Sequence, residues 1–201
     1  MGNQQLVAML IREGHLQTSR IIQAFRQVDR RLFVLHPERA YEDYPLPILG
    51  GQTISAPSMV AVMLELLQPR KSDTILEIGA GSGYFAALLG ILAKQVISYE
   101  IDPGLVAFAR RNLGKARVRN VSVRLGDGSQ ARGRFRTIVF SCAVPEIPSP
   151  LLSRLKDPGV LLAPVGQEFR QDLILLRKKS GRMTSEHHGP VVFVQLRAAY
   201  K

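Results

Sequence analysis

Three carboxylates and a set of alternate glycines are the residues whose types and spacing point to shared chemistry. Residues 75–83 read Ile-Leu-Glu-Ile-Gly-Ala-Gly-Ser-Gly, with Glu77 two positions ahead of Gly79. The apolar run 74–78 before the glycines has a strand's composition, and Tyr-Phe-Ala-Ala-Leu-Leu after them has a helix's. The glycines then form the turn between the first strand and first helix of a nucleotide-binding αβ layer. Glycine lets the backbone turn tightly and lets a ligand lie against bare main chain, and the helix N-terminus beyond offers free N–H groups. A second acid, Glu100, closes the strand-like Val96-Ile97-Ser98-Tyr99, about where a ribose-binding carboxylate is expected. A third, Asp127, stands between Gly126 and Gly128 after another strand-like run, and suits an adenine amino group. The bland alternative, a glycine-rich turn with two unrelated surface acids, must explain all three together.

The spacing selects among ligands. A dinucleotide fingerprint G-x-G-x-x-G would put its third glycine at Tyr84, whereas here it is Gly83. The pattern E-x-G-x-G-x-G resembles the S-adenosylmethionine (SAM) loop of class I methyltransferases. That resemblance implies SAM as cofactor. Glu77, Gly79, Ala80, Gly81, Ser82 and Gly83 would pass its methionine and ribose portion. Glu100 with Ile101 would meet the ribose, and Asp127 with Gly128 the adenine.

The elements needed to position these groups can be read along the chain. Leu6, Val7, Met9 and Leu10 form one helical face, and Ile21, Ile22, Phe25 and Val28 another after Gly14, with Thr18 or Ser19 as cap. Residues 36–52, broken by proline, glycine and histidine, read as an ordered loop. Ser55-Ala56-Pro57 opens a third helix, with Ser55 as N-cap and proline in the first turn. Strands are expected near 74–78, 95–100, 120–125, 137–142 and 159–164, and helices near 83–93, 104–113 and 148–155. Two last strands, 173–178 and 191–197, flank the polar turn Ser180-Gly181-Arg182. The expectation is therefore an α/β, Rossmann-like class I methyltransferase fold. It has a mostly parallel seven-stranded sheet, N-terminal helices and a C-terminal antiparallel hairpin. The chain is expected to form one domain over 1–201, with N-terminal helices and a substrate-side segment in 1–70 and the SAM-binding layer in 71–201.

Composition bounds the partners. The chain has 201 residues, 46% hydrophobic, with no apolar stretch near the roughly 18 residues a membrane span needs. One cysteine, Cys142, excludes an internal disulfide and fits a reducing cytoplasm, and no secretory signal is evident. Net charge is +11, and residues 110–136 hold nine basic residues against one acid, +8 of the total. That segment suits attraction of an acidic polypeptide or a nucleic acid, or simply a solvated sheet edge guarded by its charges. We favour the edge.

Longer blocks narrow the family. Ala40-Tyr41-Glu42-Asp43, Pro45-Leu46-Pro47-Ile48, Gly51-Gln52-Thr53-Ile54-Ser55-Ala56-Pro57-Ser58-Met59, Gly126-Asp127-Gly128, Ala143-Val144-Pro145-Glu146-Ile147-Pro148 and Phe193-Val194 follow one another along the chain. Together they closely resemble the protein-L-isoaspartate O-methyltransferases. The resemblance implies methylation of the free α-carboxylate of an isoaspartyl residue, so that the succinimide re-forms and normal aspartate is partly recovered. It implies isoaspartyl proteins or peptides as partners, Ser55 as the active-site residue, and Thr53 beside it as a second hydroxyl donor. The sequence departs from the family at Ser58, often histidine or tyrosine there, and at Arg136 in a stretch that is usually aromatic-Asp. It departs again at Val192 and Gln195, which replace an arginine and a proline.

Other candidates are weaker. Cys142 reads as packing rather than a nucleophile, and adjacent His187 and His188 in a polar turn make no metal site. Tyr41 and Tyr44 fit either the substrate entrance or packing under the loop, and Glu146 shapes its proline-framed loop. The alternatives in function are a relative serving one dedicated peptide carboxylate, a non-catalytic SAM-binding domain and a nucleic-acid methyltransferase. An adenine N6-methylating enzyme would need an Asp/Asn-Pro-Pro-aromatic loop where this chain has Ser-Cys-Ala-Val-Pro. Oligomeric state is not legible.

Overall fold

A computed structural model describes residues 2–168 and 170–196. Helices α1 (Asn3–Arg12) and α2 (Ser19–Gln27) form where the apolar spacing places them. The segment 36–52 is more ordered than a plain loop. It carries short 3₁₀ turns at Pro37–Arg39 and Leu49–Gly51, and β1 (Leu46–Pro47), which pairs antiparallel with β2 (Thr53–Ile54). Helix α3 (Pro57–Leu67) follows.

Both expected caps differ in detail. Thr18 does sit at the N-cap of α2, but its hydroxyl donates to Glu65 on α3 at 2.5 Å, tying two helices together. Ser55 is not the N-cap of α3; Ala56 holds that position, and Asp43 accepts from the Ser58 N–H at 2.8 Å. A carboxylate brought in from the preceding loop thus satisfies the helix start, and the Ser55 side chain is not used as a cap.

From there the chain alternates β3 (Thr74–Ile78), α4 (Tyr84–Leu92), β4 (Gln95–Glu100), α5 (Pro103–Lys115), β5 (Val121–Leu125), β6 (Phe135–Phe140), α6 (Ser149–Arg154) and β7 (Leu155–Gln167). The last two strands are β8 (Arg170–Lys179) and β9 (Arg182–Val191). The seven-stranded sheet has the order β5-β4-β3-β6-β7-β8-β9, parallel up to β7 and antiparallel beyond it. β6 begins and ends two residues earlier than expected, which releases Ser141 and Cys142 from the sheet into the loop beyond it.

The final strand needs correction. The apolar run 191–196 was expected as a strand, but the strand is the polar stretch Arg182–Val191, which includes His187 and His188; Arg197 lies outside the described residues. β9 is an outer strand with little to bury, so it need not be apolar. The apolar residues after it fold across the end of the sheet instead. Gln171 grips Phe193, its side chain accepting from the Phe193 N–H at 2.7 Å and donating to its carbonyl at 2.9 Å. Ala143 N–H donates to Val194 (2.8 Å) and Leu196 N–H to Ala143 (2.7 Å).

Alternate residues of the central strands feed two cores. Ile75, Val139 and Leu162 face α1–α5, whereas Leu76, Ile138 and Leu161 face α6. The N-terminal helices share the first core with the sheet, as Leu6, Phe25 and Val60 cluster with Ile75. β5 is one edge strand, as expected; although Arg136 of the basic segment stands on the interior strand β6, Arg110 and Arg124 lie at that edge. There Arg110 donates to the Val123 carbonyl at 2.7 Å, and Arg124 lies 6.0 Å from the Tyr99 ring. Among the described residues no helix is long and apolar enough to cross a membrane.

Candidate active site

The parallel strands end together on one side of the molecule, and a cleft opens there. Open αβ sheets bind ligands in the crevice at this carboxyl end of their strands. Gly79 and Gly81 form one rim with φ values of +94° and +52°, the left-handed region that favours glycine. Glu100 is nearly buried at the end of β4. One of its oxygens accepts from Gly81 N–H (2.9 Å), and the other from Ile101 N–H (2.9 Å) and Asp102 N–H (3.2 Å). Asp127 lines the opposite rim, accepting from the Ser129 N–H and hydroxyl, both at 2.8 Å. Ile78, Tyr99, Ile101 and Leu105 supply apolar walls between the two acids.

Gly128 shows how tightly this cradle is built. A Cβ there would stand 2.7 Å from Ile78 Cγ1 and 3.0 Å from Tyr99 Cβ, so only glycine fits. Gly83 acts elsewhere: it starts α4 at φ +84°, and a Cβ would press on Ala109 of α5.

Two further hollows adjoin the cleft. Glu77, Ala80, Ser82 and Ser55 line the first, beneath the glycine turn, rather than the cleft itself. Glu77 is fully buried, and burial pushes its carboxyl up to about 8 against the lowering effect of donors from Ser98 (2.5 Å) and Ser141 (3.1 Å). The second hollow, lined by Pro45, Ser55, Ala56, Ser58, Met59 and Phe193, reaches the exposed Pro45 and Val192. Thr53 and Ser141 line all three spaces and so stand where they meet. Neither hollow has a lysine or arginine among its described lining residues.

Of the expected site residues, Thr53, Gly79, Gly81, Glu100, Ile101, Asp127 and Gly128 line the cleft, and Ser55 lines the adjoining hollows. Sequence reasoning did not single out Ser141, and it read the Val194 to Leu196 tail as a strand rather than a cover. Ser141 carried a faint signal: it follows the strand that neighbours the glycine turn, so its backbone must arrive beside Gly79. Cys142 is buried against the same turn, 3.2 Å from where a Gly79 Cβ would be, and burial pushes its thiol up, away from nucleophilic use. Tyr41 is turned to Asp29 at 2.8 Å and packs on the core below the loop, while Tyr44 is exposed beside Arg39. His187 pairs with Asp172 at 2.6 Å in β9. Among the described residues no group of three or more His, Cys, Asp or Glu could hold a metal ion.

The family profile described as protein-L-isoaspartate(D-aspartate) O-methyltransferase matches residues 1–201. The chain belongs to that family. Among its relatives, the protein-L-isoaspartate O-methyltransferase of Methanospirillum hungatei is 44% identical over 98% of this chain and 94% of its own length. That of Methanoculleus marisnigri is 46% identical over 96% and 90%. The fold matches a crystal structure of a Plasmodium falciparum protein carrying the same family name, in complex with S-adenosyl-L-homocysteine. That match has a TM-score of 0.88 and 26% identity, covering 98% of this chain and 99% of that one. In this methyltransferase family member the block 51–59 builds the hollow beside the cleft. The block 143–148 begins at the residue that anchors the 192–196 tail over it.

Proposed function

We propose that this protein transfers a methyl group from SAM to the free α-carboxylate of L-isoaspartyl residues in damaged proteins or peptides, a repair reaction. The observation that carries the reading is the junction at Thr53 and Ser141. There the cleft that holds Glu100 and Asp127 meets a hollow lined by hydroxyls without cations.

The cleft's chemistry fits an adenosyl group. Carboxylates at Glu100 and Asp127 retain lone pairs for a ribose diol and an exocyclic amine, and the walls between them are apolar. Glu77, with Ala80, Ser82 and Gly83, acts from beneath the glycine turn and holds its shape rather than touching the cofactor directly. Bound SAM supplies an activated methyl on a sulfonium.

The acceptor carboxylate is already ionised at neutral pH, so no general base has to be found. What the chain must do is align the oxygen and exclude water. Thr53 and Ser55 hold the acceptor through their hydroxyls, with Ser141 at the meeting point. Opposite charges disappear as the methyl transfers, so a cation beside the oxygen would favour the ground state over the transition state. A cation-free pocket suits that demand. Ser58 leaves the outer wall of the hollow low, which widens access for a polypeptide.

We read the chain as one catalytic domain, since the helices of residues 1–70 share a core with the sheet. A cytoplasmic site of action accords with a single buried thiol. The loop after β6 reads Ser141-Cys142-Ala143-Val144-Pro145 rather than Asp/Asn-Pro-Pro-aromatic, which argues against an adenine N6 acceptor. Labelled methyl transfer to an isoaspartyl peptide, its aspartyl twin and bulk tRNA tests the reading. Base-labile label on the isoaspartyl peptide alone is expected, whereas base-stable label on RNA would overturn it.

A further inference from the structure

A second, larger cleft lies at the opposite end of the parallel strands, between α2, the end of α3, the end of α4 and the start of β6. The cofactor cleft is at the other ends of the same strands, about 17 Å away for strands of five residues. Five cations line this second cleft: Arg20 of α2, Arg70 and Lys71 of the loop after α3, Arg136 of β6 and Arg177 of β8. No carboxylate is among its described lining residues.

The partners of these cations leave the cleft positive. Arg20 donates to the Pro69 carbonyl and the Gln68 side chain, and Lys71 to the Ile91 carbonyl, all uncharged acceptors that orient the cations without neutralising them. Arg136 pairs with Asp73 at 3.0 Å and Arg177 with Glu186 at 2.6 Å. Arg70 makes no ion pair among the described residues. Five cations less two paired acids leave +3. Arg136 is also held with its Nε buried and without a partner. Four of the five cations are exposed, and their summed positive potential over one cleft attracts anions to it.

We propose that this cleft binds an oligophosphate, two or more linked phosphate groups, independently of methyl transfer. Guanidinium forks match phosphate oxygens in pairs, and three or more cations around an open cleft match a ligand with several charges close together better than a single carboxylate. Free inorganic polyphosphate and a nucleic-acid backbone share this chemistry.

The test is titration calorimetry of the full chain at low ionic strength with tripolyphosphate, a single-stranded oligonucleotide and poly-glutamate. The variants are Arg70→Gln with Lys71→Gln, and Arg119→Gln with Arg132→Gln as a control of equal charge change outside the cleft. All four positions are exposed, so neither pair should disturb folding. Tripolyphosphate or the oligonucleotide should bind about tenfold more weakly to the first pair and nearly unchanged to the second, with methyl transfer to an isoaspartyl peptide unaffected in both. Tight binding of tripolyphosphate would identify a mobile oligophosphate, and an oligonucleotide displaced by it a nucleic-acid backbone. Equal loss in both variants, no measurable binding, or poly-glutamate binding as tightly as the phosphates would each overturn the proposal.

Discussion

Arg30 donates through Nη2 to the Ser55 carbonyl at 2.9 Å and through Nη1 to the Ala40 carbonyl at 2.9 Å. Its side chain is fully buried, and burial holds the guanidinium below the ordinary arginine value. A longer contact reaches the Glu42 carbonyl at 3.4 Å, so one planar cation clamps the loop around the proposed acceptor site to the α2 side of the protein. The carbonyls of Ala40 and Glu42 and that of Ser55 sit on either side of the β1–β2 hairpin and would lose this partner together.

Arg30→Met should therefore act as a positioning defect. Leaving several buried carbonyls unmatched costs about 3 kcal/mol of stability, visible in urea unfolding. Among molecules still folded, kcat/KM for an isoaspartyl peptide should fall while S-adenosylhomocysteine affinity changes little. Arg30→Lys should restore stability only in part, because an ammonium cannot reach both carbonyls. Equal losses in cofactor affinity and turnover would contradict a positioning role.

Asp43 and Ser55 separate capping from chemistry. Asp43→Ala removes the acceptor for the Ser58 N–H at the start of α3 and should cost about 1 kcal/mol. Ser55→Ala removes a hydroxyl that is not used as a cap, so thermal unfolding should shift little while methyl transfer drops far more than SAM binding. A larger stability loss at Ser55 than at Asp43 would reverse these assignments.

Glu77 should make stability fall with rising pH. Its carboxyl is raised from 4.5 to about 8 in the folded protein, chiefly by burial. The unfolded chain releases the proton near the lower value and the folded chain near the upper. Its contribution is thus fully present below about pH 4.5 and is lost progressively as pH approaches 8. The loss is bounded at about 5 kcal/mol. Glu77→Gln, which keeps the hydrogen-bonding shape, should flatten that slope in ligand-free protein when unfolding is followed from pH 5 to 9. An unchanged slope in the variant would show that Glu77 is ionised in the fold.

Gly128→Ala should weaken cofactor binding about tenfold, because overpacking against Ile78 and Tyr99 displaces two walls of the cleft. Gly114→Ala on α5, where a Cβ would meet nothing within 4 Å, should instead stabilise by about 0.5 kcal/mol. Calorimetry with S-adenosylhomocysteine and thermal melts of the two variants give the comparison.

Much of the fold was legible because its strongest signals are local. The strand–glycine–helix unit at 74–92 and the strand ending at Glu100 form where composition and spacing put them, since a buried parallel strand must be apolar and its turn must admit positive φ. Caps and edges were less legible. Asp43 caps α3 from another segment, and β9 is polar because an outer strand buries little. Local pattern carries no record of either.

By itself, then, the sequence determined the order of strands and helices from β3 to β8, the glycine turn, and which carboxylates close β4 and follow β5, all consequences of periodicity and backbone freedom. Only the tertiary structure decided that Thr53 and Ser141 meet between the three spaces. It also decided that the 192–196 tail covers the cleft and that cations from α2, β6, β8 and the loop after α3 share the far one. Such convergence depends on long-range packing and on hydrogen bonds such as those of Arg30 and Gln171, which join residues that nothing in their own neighbourhoods pairs.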